Sequence, residues 1–344
     1  MTFDSYYTMN KKEWLDRENQ EYRKSTERRF SEYYKEFKVL VDLIGEEVFL
    51  EFSTDGGNTW QNFILSRDLN AEGQVIVPNV GDVVYVRASS EGNTSLSDQS
   101  EQQNSNQLRC TGAWRVSGDI RCLLDQNRGS APALNQYGFS WLFSNSDITD
   151  ASNLILPYTT MKKCAYYSMF AYCRMLVSGP RDLPATTLSE SCYNCMFLGC
   201  SSLVSGPRDL PATTLGPFCY QKMFDGCSSL VDVPETLPAR SLKRYCYDAM
   251  FRNTKITRSP LIEIEKISSS SSFSAYSLRN MFYGCTSLTE ITIKLNTWPS
   301  SDSTGSLKNW VSGVSPSGTF YCPSSLPIEY GVSRIPSGWT VVRI

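Results

Sequence analysis

The chain has 344 residues, 41% of them hydrophobic, a formal net charge of −2 and no histidine. That apolar content excludes wholesale disorder, and the charge balance argues against a nucleic-acid binder, whose domains carry a basic excess. The missing histidine excludes Ser-His-Asp and Cys-His catalysis, histidine proton shuttling and His-containing zinc sites, leaving carboxylate, tyrosine, lysine or thiol chemistry.

The first stretch, MTFDSYYTMNKKEWLDRENQEYRK, has neither an apolar signal region nor a small-residue cleavage site, and no later run is long and apolar enough to span a membrane. Neither secretion by a signal peptide nor membrane insertion is expected. Residues 10–44 are dense in charge and free of Gly and Pro, with Phe30, Tyr33, Phe37, Leu40 and Ile44 spaced 3, 4, 3 and 4 apart. The spacing predicts an amphipathic helix stopped at Gly45. Its apolar seam could pack on its own domain or join subunits in a helical bundle, making residues 1–44 a stalk or oligomerisation segment.

The period then changes. VFLEFSTDGGNTWQNFIL (48–65) alternates around Asp55-Gly56-Gly57-Asn58, which predicts a β-hairpin. GQVIVPNVGDVVYVRAS (73–89) predicts two more strands, broken at Pro78 and Gly81. The polar run at 89–107 reads as a long mobile loop, and LRCTGAWRVSGDIRCLL (108–124) returns to strand character. The expectation over 45–128 is a small antiparallel, β-sandwich-like domain. Ser53–Trp60 also fits the S-x-D-x-G-x-x-W hairpin of propeller blades, but a propeller needs several such blades and the chain has one.

From about residue 129 a repeat takes over. Phe143, Phe170, Phe197, Phe224 and Phe251 are each 27 apart, and Phe282 follows after 31. Each is preceded by Met169, Met196, Met223, Met250 or Met281, with Leu142 in the first copy, and Asn309-Trp310-Val311 is a degenerate last copy. VSGPRDLPATTL occurs twice unchanged, at 177–188 and 204–215. A fixed period in the twenties predicts a solenoid over 129–344, in which stacking places Phe on Phe and Cys on Cys. Within a coil, CYxxMFxGC suits a short helix ended by Gly199, Gly226 or Gly284, and SSLVSGP suits a short strand. The predicted fold class is therefore α+β: an N-terminal amphipathic helix, a small antiparallel β-domain and a leucine-rich-repeat-like solenoid of ~27-residue coils.

Several columns of the repeat are candidates for chemistry. Cys192, Cys219 and Cys246 lie five residues before the Phe, and Cys173, Cys200, Cys227 and Cys285 three after it. Buried free thiols acting as small hydrophobes are the expected state, against inter-coil disulfides or metal binding. Cys192 and Cys195 form a lone C-x-x-C without a second pair, so no metal site is assigned. Tyr166, Tyr193, Tyr220 and Tyr247 form an aromatic column that either packs half-buried or stacks sugar rings, which makes Tyr193 and Tyr220 candidate ligand contacts. Arg181-Asp182 and Arg208-Asp209 occupy the same place in successive coils and are either solvated edge charge or a ligand-facing patch. No P-loop, G-x-S-x-G, H-E-x-x-H or paired-carboxylate motif occurs, so neither an enzyme nor a cofactor is expected.

The M-F-x-G-C-x-S-L pattern followed by L-P-A-T-T-L resembles the BspA-like leucine-rich repeat proteins of gut Bacteroidales and their phages. The resemblance extends over residues 46–344, through S-x-D-G-G-x-T-W, V-G-D-V-V-Y-V-R-A, W-R-V-S-G-D-I and the closing G-T-F-Y-C-P and I-P-S-G-W-T-V-V. The repeats lack the Asn ladder of standard leucine-rich repeats, so horseshoe curvature is not implied. The resemblance implies a non-enzymatic adhesion protein that binds a host surface protein or glycan. Without a signal, the expected setting is a phage virion, as a fibre or decoration subunit and possible trimer, joined to other virion subunits by the helix. A bacterial cell-surface adhesin is the alternative, and an enzyme the remainder.

Overall fold

A computed structural model describes residues 2–5, 37–42, 48–62, 73–77, 82–97, 106–110, 112–125, 134–265, 267, 275–299 and 305–344. Among the described residues there is no α-helix, only one 3₁₀ turn at Ile120–Leu123. The expected α+β class is therefore corrected to an all-β and turn architecture.

The first part of the chain folds as two sheets. Strands β1 (Thr2–Ser5), β3 (Leu50–Ser53), β4 (Gln61–Asn62), β6 (Val83–Ala88), β8 (Trp114–Asp119) and β9 (Ile148–Ile155) form a six-stranded sheet in the order β4-β3-β6-β1-β8-β9. Its pairs are antiparallel except β8 with β9. Strands β2 (Phe37–Asp42), β5 (Gly73–Val77) and β7 (Gln107–Cys110) form a three-stranded antiparallel sheet in the order β5-β2-β7. The period-2 pattern of β6 explains its place, since Val84, Val86 and Ala88 are buried on one face.

The N-terminal helix is overturned where the chain is described. Phe37 and Leu40, two residues of the expected helical seam, lie in β2, the central strand of its sheet, paired with Val77 and Gln74 of β5. Phe30, Tyr33 and Ile44 lie outside the described residues. The β-branched Val39 and Val41 favour the pleated backbone, and pairing on both edges outweighs a 3-4 spacing only two turns long. β1 likewise sits inside the larger sheet, between β6 and β8.

The predicted hairpin is present as β3 and β4. The Asp55 carboxylate accepts hydrogen bonds from Ser53 Oγ (2.7 Å), Asn58 N (3.0 Å) and Thr59 N (2.9 Å), which closes the turn. These donors hold the Asp55 carboxyl well below the usual carboxylate range, the Thr59 side chain contributing most. The described part of the polar run after β6 is packed in place. Leu96 is buried in the core, and Asn93 ties the segment down, accepting from Phe49 N and donating to the carbonyls of Phe49 and Leu123.

The repeats stack as seven coils. On one side, β10 (Thr236–Leu237), β11 (Arg258–Ile262), β12 (Glu290–Ile293), β13 (Thr319–Cys322) and β14 (Thr340–Arg343) form a parallel sheet in chain order. Earlier coils are joined by single parallel bridges, Asp150 to Ser178 to Ser205 and Thr160 to Thr187 to Thr214.

On the other side, where short helices were expected, each coil runs through overlapping turns. In the coil at 191–200, the N–H groups of Asn194, Met196, Leu198 and Cys200 donate to the carbonyls three residues back. Those of Ser191, Tyr193, Cys195, Phe197 and Gly199 donate instead to Pro217, Cys219, Gln221, Met223 and Asp225 of the next coil. Half of the N–H groups therefore cross-link coils, which a helix with internal i to i−4 bonds could not do. The geometry needs a left-handed residue at every fourth position. Three such positions per coil recur from Tyr137, Trp141 and Asn145 to Gly305, Asn309 and Gly313, and none is filled by a β-branched residue. A β-branched side chain at positive φ would be a severe steric outlier.

One continuous core joins sheets and solenoid. Trp114 of β8 meets Phe143 edge-on at 6.0 Å. Phe143, Phe170, Phe197, Phe224, Phe251 and Phe282 then stack at 5.3–5.8 Å, and Trp310 and Phe320 close the ladder. Each buried ring contributes about 1.5–3 kcal/mol, with about 0.5–1.5 kcal/mol more per ring pair, so the ladder as a whole holds the coils.

Candidate binding surface

The columns facing inward are scaffold. Tyr166, Tyr193, Tyr220 and Tyr247 stack at 5.7–5.8 Å and are at most 1% exposed. Tyr193 and Tyr220 therefore offer no ring to a ligand at the surface, and the sugar-stacking role expected for them is corrected. The hydroxyls of Tyr166, Tyr193 and Tyr247 are buried without a hydrogen-bond partner among the described residues.

All twelve cysteines are free and buried. The Sγ atoms of Cys173, Cys200, Cys227 and Cys285 donate to the carbonyls of Phe143, Phe170, Phe197 and Phe251 in the preceding coil at 2.9–3.0 Å. Burial pushes the Cys173 thiol up to about 12 and that of Cys285 up to about 11. These thiols pack as small apolar groups and bridge coils through their S–H. No group of three or more Cys, Asp or Glu side chains is arranged to hold a metal ion among the described residues.

Arg181, Asp182, Arg208 and Asp209 are exposed, which both the edge-charge and the ligand-patch readings require. The register places like on like: Asp182 bridges Asp209, and Arg208 N donates to the Arg181 carbonyl at 3.0 Å. They form two short columns on the strand side of the solenoid.

The turn side carries a second arrangement in the later coils. Phe218, Tyr245 and Tyr276, each six residues before its coil's Phe, are half-buried and stack at 5.1 and 4.8 Å. Each has positive φ. The Arg244 guanidinium lies 6.0 Å from the Phe218 ring and 5.1 Å from the Tyr245 ring, and that of Arg279 lies 5.0 Å from both Tyr245 and Tyr276. Such guanidinium–ring contacts fix the cations in place.

A polar ladder runs beside the rings. Asn194 Nδ2 donates to Gln221 Oε1 (3.2 Å), and Gln221 Nε2 to Asp248 Oδ2 (2.9 Å). Arg279 binds the same carboxylate with two N–H donors at 2.9 Å. Arg252 grips Asp225 likewise, at 2.8 and 2.5 Å. In both pairs the acid is buried and the base faces out: Asp248 and Asp225 are 1% and 4% exposed, Arg279 and Arg252 30% and 35%. The paired carboxylates raise both guanidinium pKa values, so the cations persist at any working pH. The aromatic column was visible in the sequence as Phe218, Tyr245 and Tyr276 at a constant offset, but the buried Tyr column two residues later carried the stronger signal.

No family model, curated protein or solved structure matches the chain.

Proposed function

We propose that this chain is a non-enzymatic adhesion protein of a virion, a fibre or decoration subunit whose solenoid binds a host surface glycan. One observation carries the reading: the columns that build the coils face inward and repeat, while the outward columns change from coil to coil. The Phe, Tyr, Met and Cys columns are buried throughout. The outward column seven residues before the Phe runs Gln136, Lys163, Glu190, Pro217 and Arg244. A scaffold whose core alone fixes the coil leaves its surface free to diversify for recognition. The resemblance to BspA-like repeat proteins of gut Bacteroidales and their phages supports the virion setting.

Joining to other subunits through a helical seam is not part of this proposal, because Phe37 and Leu40 belong to β2. The test is the chain's physical location together with its binding. Mass spectrometry should find it in purified virions, and the intact chain should bind whole host cells in a manner competed by their extracted surface polysaccharide. Recovery in the cell-envelope fraction alone would replace the virion with a bacterial surface adhesin, and absence of any host-cell binding would refute adhesion.

A further inference from the structure

We infer that the turn side of the later coils is a binding site for an acidic polysaccharide, read through carboxylate groups carried on successive sugars. The inference rests on the adhesion reading and names its ligand class.

Three features of this face point the same way. First, among the described residues its exposed charge has one sign. Asp225 and Asp248 are turned inward beneath Arg252 and Arg279, so each pair shows its cation and hides its anion. Lys243, Arg244 and Lys308 are exposed on the same side and form no ion pair among the described residues. An anion approaching this face meets cations whose countercharges are already buried, and low-dielectric surroundings strengthen that attraction.

Second, the guanidiniums are held in position before any ligand arrives. Arg244 and Arg279 flank Tyr245, at 5.1 and 5.0 Å from its ring, and Arg279 is also pinned by Asp248. Binding then loses little side-chain freedom, and an Arg fork matches a carboxylate with two parallel N–H bonds. Arg279 already uses its Nε and one Nη on Asp248, so Arg244 is the fork left open.

Third, the array is periodic. Aromatic rings repeat at 5.1 and 4.8 Å along Phe218, Tyr245 and Tyr276. Cations recur in successive coils as Arg244, Arg279 and Lys308. The ring spacing is comparable to the length of one pyranose unit, so a chain lying along the rings can set carboxylates near Arg244 and Arg279, which flank Tyr245 at 5.1 and 5.0 Å. Its ring C–H edges lie against the aromatic column. Beyond Tyr276 the column ends at Gly305, whose backbone packs so closely on the Tyr276 ring that a Cβ would lie 2.7 Å from it. A compact monovalent anion could use one cation but not the repeat, and neutral sugars could use the rings but not the cations.

The experiment uses the full chain and biolayer interferometry on immobilised polygalacturonate, with fully methyl-esterified polygalacturonate, poly-glutamate and duplex DNA as comparison surfaces. The expected result is binding to polygalacturonate that weakens with added salt and is absent from the methyl ester. K243Q/R244Q should weaken it at least tenfold, whereas R181Q/R208Q on the strand side should change it by less than twofold. Neither pair touches a buried carboxylate, and an unchanged thermal midpoint verifies the fold. R244K, which keeps the charge without the planar fork, should fall between wild type and the double variant. Unchanged binding by K243Q/R244Q overturns the inference, as does equal capture by poly-glutamate or DNA. If the chain binds only neutral host polysaccharide, and K243Q/R244Q binds it equally well, the inference fails while the adhesion reading stands. If it binds no saccharide and no host cell, both fail.

Discussion

Exchanging Lys222 for glycine and for alanine separates the turn ribbon from the helix that the sequence suggests. Lys222 is half-exposed with φ +54°, and its N–H donates to the Asp248 carbonyl of the next coil at 2.9 Å. Both replacements keep that N–H and remove the same long side chain. Left-handed backbone costs an L-residue about 1–2 kcal/mol that glycine does not bear. Glycine gives back about 0.5–1 kcal/mol through the greater freedom of its unfolded chain. Lys222→Gly should therefore be more stable than Lys222→Ala, by up to about 1.5 kcal/mol. In a helix the order would reverse, with glycine about 1 kcal/mol below alanine. Urea unfolding followed by far-UV circular dichroism reads the difference as a midpoint shift at equal slope. A glycine variant that unfolds at lower urea than the alanine variant refutes the left-handed assignment, and with it the hydrogen bonding between coils.

Three further outcomes follow from the buried columns. The folded-state thiol values lie above the ordinary 9.0, at about 11 for Cys164 and Cys285 and about 12 for Cys173 and Cys246. Stability from these groups is therefore intact below about pH 9 and declines as pH rises toward 11–12. Urea midpoints measured from pH 7 to 11 should fall above pH 9, and a rising midpoint would contradict the buried ladder. Tyr193→Phe removes a hydroxyl without a partner and should be neutral or stabilising by up to about 1–3 kcal/mol, whereas a loss above about 1 kcal/mol in thermal unfolding would mean the hydroxyl is bonded. Phe197→Ala opens a gap between Phe170 and Phe224 and should cost about 3–5 kcal/mol; a cost under about 1 kcal/mol would show that the rings do not carry the stack.

What the sequence revealed was the repeat and its inward columns, because a 27-residue period held from Phe143 to Phe251 forces like residues into register. What it hid was the local backbone. Cys192, Met196 and Cys200 recur every four residues, as do Tyr193 and Phe197. Over a single coil that spacing drifts only about 40° per step from a helical face, so helix and four-residue turns look alike. The clue lay in the residues at every fourth place, which include Tyr, Trp, Phe, Ser, Cys, Lys, Ala, Asn and Gly but no β-branched residue, as positive φ demands. At the N-terminus, the 3-4 spacing of Phe37 and Leu40 competed with the Val39 and Val41 alternation, and strand partners distant in sequence decided it. For the candidate surface, Arg181, Asp182, Arg208 and Asp209 were legible as exposed charge. The Arg244 and Arg279 array was not, because its one-sided charge depends on which partner of each pair is buried.

The central claim is that one coil is a complete, exchangeable unit of scaffold, with recognition residing in what differs between coils. Deleting residues 178–204 joins Val177 directly to Ser205 and removes 27 residues in register with the repeat. Ser205 then takes the bridge to Asp150 that Ser178 makes, and Phe224 stacks where Phe197 stood, on Phe170. The measurement is thermal unfolding of this shortened chain, followed by near-UV circular dichroism. A folded chain with native-like aromatic signal and a cooperative transition is the predicted result. A shortened chain that lacks the aromatic signal and shows no transition would contradict the account.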